Sequence, residues 1–172
     1  LVQLQADAPN WLSEGFAEYL SAVHLRELYG HDYLIRENHW QYMYFELPFG
    51  QEEPSIVSPE IYELELEAYF VILYKRGASV LHQLSRRYEN FSEILASYVQ
   101  AHSGRFVHTQ DFIDALNTWG VLRAERPLFD LNAYLDATLF GNERLSLSVE
   151  ARWIDDEQSR LNIVGAGPLS DS

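Results

Sequence analysis

The sequence predicts a mainly α-helical domain that closes on a C-terminal β-hairpin. Three features carry that reading. Apolar residues recur at helical spacing from Trp11 onward, Gly and Pro punctuate the series, and from Leu145 the period switches to strict alternation. At 172 residues the chain fits one domain of ordinary size, long enough to bury a sizeable core.

Residues 7–10 are turn-like, with Pro9 and then Asn10 placed to cap a helix. From Trp11 the apolar positions Leu12, Phe16, Tyr19, Leu20 and Val23 follow a helical period, and Gly30 supplies the stop. Residues 31–47 read as a second, aromatic-rich helix. Residues 48–58 hold Pro48, Gly50 and Pro54 and read as a loop. Ser58 before Pro59 is a helix start, because a Ser side chain caps well and Pro is tolerated in the first turn. Helical pattern then runs through residues 74–87, 91–102 and 110–118, with Thr109 as a cap and with breaks at Gly104 and Gly120. Asp130 caps a short last helix that ends at Gly141.

Beyond it Leu145, Leu147, Val149, Ala151 and Trp153 alternate, residues 155–158 are turn material, and Leu161 and Ile163 alternate again. Residues 165–172 read as a loose tail. The expected division is a helical lobe over 1–141, followed by a hairpin and tail over 142–172 that would begin a further β module.

Charge and composition narrow the function. A net charge of −14 argues against nucleic acid, which demands clustered Lys and Arg. The absence of cysteine excludes disulfides and thiolate metal sites. No apolar run is long enough to span a bilayer. The chain does not begin with Met and reads as a piece of a longer protein. Between Glu46 and Glu67 stand seven glutamates and no Lys or Arg. They form either a solvated acidic face or a wall that draws a peptide's free amine toward a cleft.

Taken alone, neither candidate functional residue is distinctive. A glutamate in a first helical turn, such as Glu14, is favoured by the helix dipole. A tyrosine on an apolar helix, such as Tyr74, usually packs with its hydroxyl at the rim. Their settings change the reading. Residues 11–20, Trp-Leu-Ser-Glu-Gly-Phe-Ala-Glu-Tyr-Leu, resemble the W-L-N-E-G-F-A-x-Y segment of the M1 zinc aminopeptidases, a gluzincin family. Residues 74–81, Tyr-Lys-Arg-Gly-Ala-Ser-Val-Leu, resemble that family's Y-x-K-G-A-x-x-L, with Arg76 for the usual Lys. The two segments stand in the family's order and at its interval. Residues 92–120 also resemble its helical stretch leading to T-x-E-D-F, here Thr109-Gln110-Asp111-Phe112.

The resemblance implies the helical C-terminal lobe of a thermolysin-like catalytic domain and a peptide substrate. It implies that Glu14 is the third ligand of a zinc ion and that Tyr74 donates a hydrogen bond to the oxyanion of a tetrahedral intermediate. Glu18, one turn after Glu14 on the same face, is a candidate for supporting that ligand. The other two ligands of the family are histidines of H-E-x-x-H, which this sequence lacks: its histidines stand at 24, 31, 39, 82, 102 and 108. The family spacing exceeds the thirteen residues before Glu14, so the motif is expected just upstream of Leu1, in a missing N-terminal part of the catalytic domain. The amine-binding G-x-M-E-N loop is expected further upstream.

The 172 residues alone are therefore expected to hold no zinc and to be inactive, since a catalytic zinc site takes three protein ligands. Two rival readings remain. One is another thermolysin-like zinc peptidase, such as an endopeptidase. The other is a non-catalytic helical scaffold, which would need neither Glu14 nor Tyr74.

Overall fold

A computed structural model describes residues 3–4, 11–30, 54–122, 129–141, 146–153 and 159–166, with side chains for 11–30, 54–122 and 129–141. The turn expected at 7–10, the helix at 31–47, the first part of the following loop and the turn at 155–158 lie outside the described residues.

Helix α1 spans Trp11–Tyr29 and buries Trp11, Leu12, Gly15 and Tyr19, one stripe at helical spacing. It stops at Gly30, whose φ of 87° suits glycine and whose N–H donates to the Arg26 carbonyl at 2.9 Å. The Ser58 hydroxyl accepts from the Glu60 amide at 3.2 Å, the cap its sequence implies, but the segment it opens is a 3-10 helix, Pro59–Glu63.

The next helix starts earlier than its periodicity suggests. Helix α2 (Leu66–Phe70) runs into a π turn (Val71–Arg76) and on into α3 (Gly77–Arg87), with right-handed helical dihedrals at both junctions. The buried residues Ala68, Val71, Ile72 and Leu73 join these pieces into one rod. Their spacing is not that of a single α-helix, because the π turn inserts an extra residue into the count.

Helix α4 spans Phe91–His102, as the pattern predicts. Helix α5 spans Thr109–Trp119, and here the cap differs from expectation. His108 occupies the cap position, and its N–H donates to the Asp111 carboxylate at 2.7 Å. Thr109 is instead the first helical residue, and its hydroxyl accepts from the Trp11 indole N–H at 2.9 Å. Asp130 caps helix α6 (Leu131–Leu135) by accepting from the Ala133 amide at 3.1 Å. That helix continues through a second π turn, Asp136–Phe140, and stops at Gly141.

Two small sheets complete the chain. Strand β1 (Gln3–Leu4) pairs in parallel with β2 (Phe106–Val107), a contact for which the sequence pattern gives no cue. Strands β3 (Ser146–Trp153) and β4 (Ser159–Ala166) form the expected antiparallel hairpin. Gly165 and Ala166, placed in a loose tail by their composition, belong to β4, because each pairs across the ladder: Leu147 with Gly165 and Ser146 with Ala166.

The core lies between α1, α3, α4 and α5. Trp11 and Phe112 are fully buried and meet edge to face at 6.2 Å between ring centres. Phe16 bridges Phe112 at 5.3 Å and Tyr98 at 6.1 Å, and Tyr19 packs on Phe91. Aromatic contacts of this kind add roughly 0.5–1.5 kcal/mol beyond their area. They anchor the buried side of α1 and leave its Glu14–Glu18 face pointing toward the π turn.

Candidate active site

Two glycines set the distance between the elements of the site. A Cβ on Gly15 of α1 would lie 3.1 Å from the Gly77 carbonyl carbon and 3.2 Å from its Cα. A Cβ on Gly77 would in turn meet the Gly15 Cα at 3.2 Å. The two helices touch backbone to backbone, so closely that a Cβ on either glycine would push the other backbone back by a few tenths of an ångström. Glu14 precedes the first glycine by one residue, and Tyr74 precedes the second by three.

That approach brings Tyr74 beside Glu14, near enough for the carboxylate to act on the phenol. Hydrogen bonding toward Glu14 is the first cause that pushes the Tyr74 pKa up to about 12, followed by partial burial and the negative charge of Glu14. A phenolate there would lose the bond and face the carboxylate. Tyr74 is therefore a proton-bearing donor at neutral pH. The Phe70 ring supports it, 4.8 Å away between centres and tilted by 42°.

One turn further along α1, Glu18 accepts from the Lys75 ammonium. Each of these two side chains is 25% exposed. Consecutive residues of an α-helix diverge by roughly 100°, yet Tyr74 and Lys75 both reach the same face of α1. Both stand in the π turn, a feature frequent at functional sites. Arg76, which replaces the usual Lys, donates to the Gly141 carbonyl at 3.3 Å and ties this turn to the end of the last helical segment.

Of the residues singled out in the sequence, Glu14, Glu18 and Tyr74 thus share one face-to-face contact. Sequence reasoning missed Lys75. The Y-x-K-G-A pattern leaves that position open, so only its charge opposite Glu18 could have pointed to it. Glu60, Glu63, Glu65 and Glu67 are all exposed, the solvated arrangement. Glu46, Glu52 and Glu53 lie outside the described residues.

The arrangement offers a carboxylate as a metal ligand and a phenol as a hydrogen-bond donor beside it. It does not make a metal site unaided. Among the described residues no group of three His, Cys, Asp or Glu side chains could hold an ion. His24, His82, His102 and His108 are exposed or half-buried, and His31 and His39 lie outside the described residues.

A separate cavity of about 470 Å³, lined by Tyr88, Leu116, Phe129 and Leu131 among others, shares no residue with this site. Asp130 on its wall is engaged in capping α6. No helix among the described residues is long and apolar enough to cross a membrane.

Residues 1–134 match the family model described as the peptidase family M1 domain. That span holds both motif segments and ends before the hairpin. No match is found among curated proteins or among solved structures.

Proposed function

This chain belongs to peptidase family M1, and we propose that it is the helical half of a zinc aminopeptidase's catalytic centre, acting on the N-terminal residues of peptides. The observation that carries the proposal is the meeting of Glu14 and Tyr74. Two side chains sixty positions apart, each in a family motif, face each other beside the backbone contact of Gly15 with Gly77, near enough for Glu14 to raise the Tyr74 pKa. A packing tyrosine has no need of a carboxylate partner, and a helix-start glutamate has no need of a tyrosine.

On this reading Glu14 would hold a zinc ion through its carboxylate. The sequence contains no H-E-x-x-H, so the remaining ligands come from residues outside these 172. A single carboxylate does not hold zinc against water, so the fragment alone is inactive and metal-free. When bound, zinc polarises a peptide carbonyl and lowers the pKa of a coordinated water.

Tyr74 has a distinct task. Its hydroxyl has one proton, so on substrate binding that O–H turns from Glu14 to the oxygen of the scissile carbonyl as negative charge builds there. A donor aimed at such an oxyanion stabilises the transition state by about 3 kcal/mol. Glu14 holds the phenol near the site until substrate arrives, and Phe70 restricts the ring. Residues 142–172, with the hairpin β3–β4, lie beyond the matched span and open a following β module.

The experiment is an assay of the full-length protein on matched peptides with free and with acetylated N-termini. Cleavage of the free-amine peptides alone supports the aminopeptidase. Cleavage of blocked peptides at internal bonds would make it an endopeptidase. No cleavage of either, with an intact fold, would favour a scaffold.

A further inference from the structure

Glu14 and Glu18 are spaced by one helical turn, so their side chains share a face and their negative charges repel. Directly opposite them stand two consecutive residues of the π turn. Tyr74 engages Glu14, and Lys75 engages Glu18. The two contacts form neighbouring rungs between the same pair of elements. The Lys75 rung also places a positive charge where it offsets the repulsion between the carboxylates. Neither Glu18 nor Lys75 is fully solvated, so bulk water screens their attraction less than it would at an open surface.

Resting on the reading of Tyr74 given above, we propose that Lys75 is a positioning residue: its ion pair with Glu18 locks the π turn so that the neighbouring Tyr74 ring stays on the Glu14 side of the site. The π turn is the reason such a lock is useful. Its i→i+5 bonding departs from the α-helical spacing on either side, so the direction of Tyr74 does not follow from the α-helical period. The glycine contact fixes how near the helices come. The buried Val71, Ile72 and Leu73 and the Arg76–Gly141 bond hold the far side of the turn, and Lys75 acts on the side that meets α1. Phe70 lies behind the Tyr74 ring, and Lys75 is the adjacent residue with a partner on α1.

The test uses the full-length protein. Lys75→Met should lower kcat by about 10-fold, the scale of effect expected when a catalytic group is slightly misplaced, with KM and zinc content little changed. Lys75→Arg, which keeps the charge, should retain activity. The exchange Glu18→Lys with Lys75→Glu should recover most of what Lys75→Met loses. In a Tyr74→Phe background, Lys75→Met should cost nothing further, because Lys75 acts through the hydroxyl.

A second readout does not depend on turnover. In metal-free protein carrying 13Cζ-labelled tyrosine, the signal absent from Tyr74→Phe should move in Lys75→Met and return with the charge exchange. Full activity and an unmoved signal in Lys75→Met would overturn the positioning role. So would a loss that adds fully to that of Tyr74→Phe. If Tyr74→Phe itself keeps full activity, the reading of Tyr74 and this inference fall together. If only Lys75→Met is silent, the inference alone falls.

Discussion

Tyr74 faces Glu14 across sixty positions of the sequence, near enough for the carboxylate to push the phenol's pKa up to about 12. The pair sits beside a backbone contact between Gly15 and Gly77 that a Cβ on either residue would push apart. The chemistry proposed for the chain follows from that one junction, and several of its consequences are measurable.

Replacing Tyr74 by Phe removes a hydroxyl and leaves the ring on Phe70. Turnover by the full-length enzyme should fall by about 100- to 1000-fold, the loss found when an oxyanion donor is deleted. Stability should barely change. Steady-state kinetics beside a thermal melt checks both. Unchanged kcat would remove Tyr74 from the mechanism.

Gly15→Ala places a methyl group 3.1 Å from backbone that cannot rotate away. Helices α1 and α3 must separate, at a cost of about 1–3 kcal/mol typical of overpacking. The denaturation midpoint should drop, and activity should drop with it, because the approach of Tyr74 to Glu14 rides on the same contact. An alanine variant as stable as the parent would show that the glycine contact is not tight.

The indole N–H of the fully buried Trp11 is satisfied by Thr109. Thr109→Val preserves shape and leaves that donor without its partner, which costs about 1–3 kcal/mol. Chemical denaturation followed by tryptophan fluorescence reads this directly. If instead Thr109 served only as a helix cap, Thr109→Asn would be neutral; we expect it to be destabilising.

Burial pushes the Tyr88 pKa up to about 12, from 10.0, and burial raises those of Tyr98 and Tyr134 as well. Below pH 10 these phenols are neutral in both the folded and the unfolded chain, so they add no pH dependence. Above 10 the unfolded chain ionises first, and stability is lost as the pH rises toward the folded value. Denaturation midpoints should be flat from pH 8 to about 9.5 and should fall steeply above it. A flat profile through pH 11 would contradict the burial of these hydroxyls.

Much of this architecture was legible before any coordinates. Helices α1, α4 and α5 and the hairpin announce themselves through period, and Glu14 and Tyr74 through their neighbours. The π turn at Val71–Arg76 was not, because one inserted residue merely blurs a helical period. Nor was the identity of the α5 cap. Thr109 is a good capping residue by type, but Asp111 reaches back to the amide of His108, and the threonine hydroxyl is claimed by a tryptophan 98 positions away. Lys75 was invisible for a similar reason, since its partner Glu18 lies 57 positions off and no local pattern encodes that distance. Pairings of this kind are properties of packing, and a local period does not carry them.

The most direct test of the central claim is the zinc content of the full-length protein carrying Glu14→Gln. Glutamine keeps the shape and can still accept from Tyr74, but it surrenders the charge that a metal ligand supplies. Elemental analysis should find the near-stoichiometric zinc of the parent reduced to a small fraction, with the fold intact by circular dichroism. Zinc retained at the parent's level after dialysis would contradict Glu14 as a ligand, and with it the active-site reading of the Glu14–Tyr74 pair.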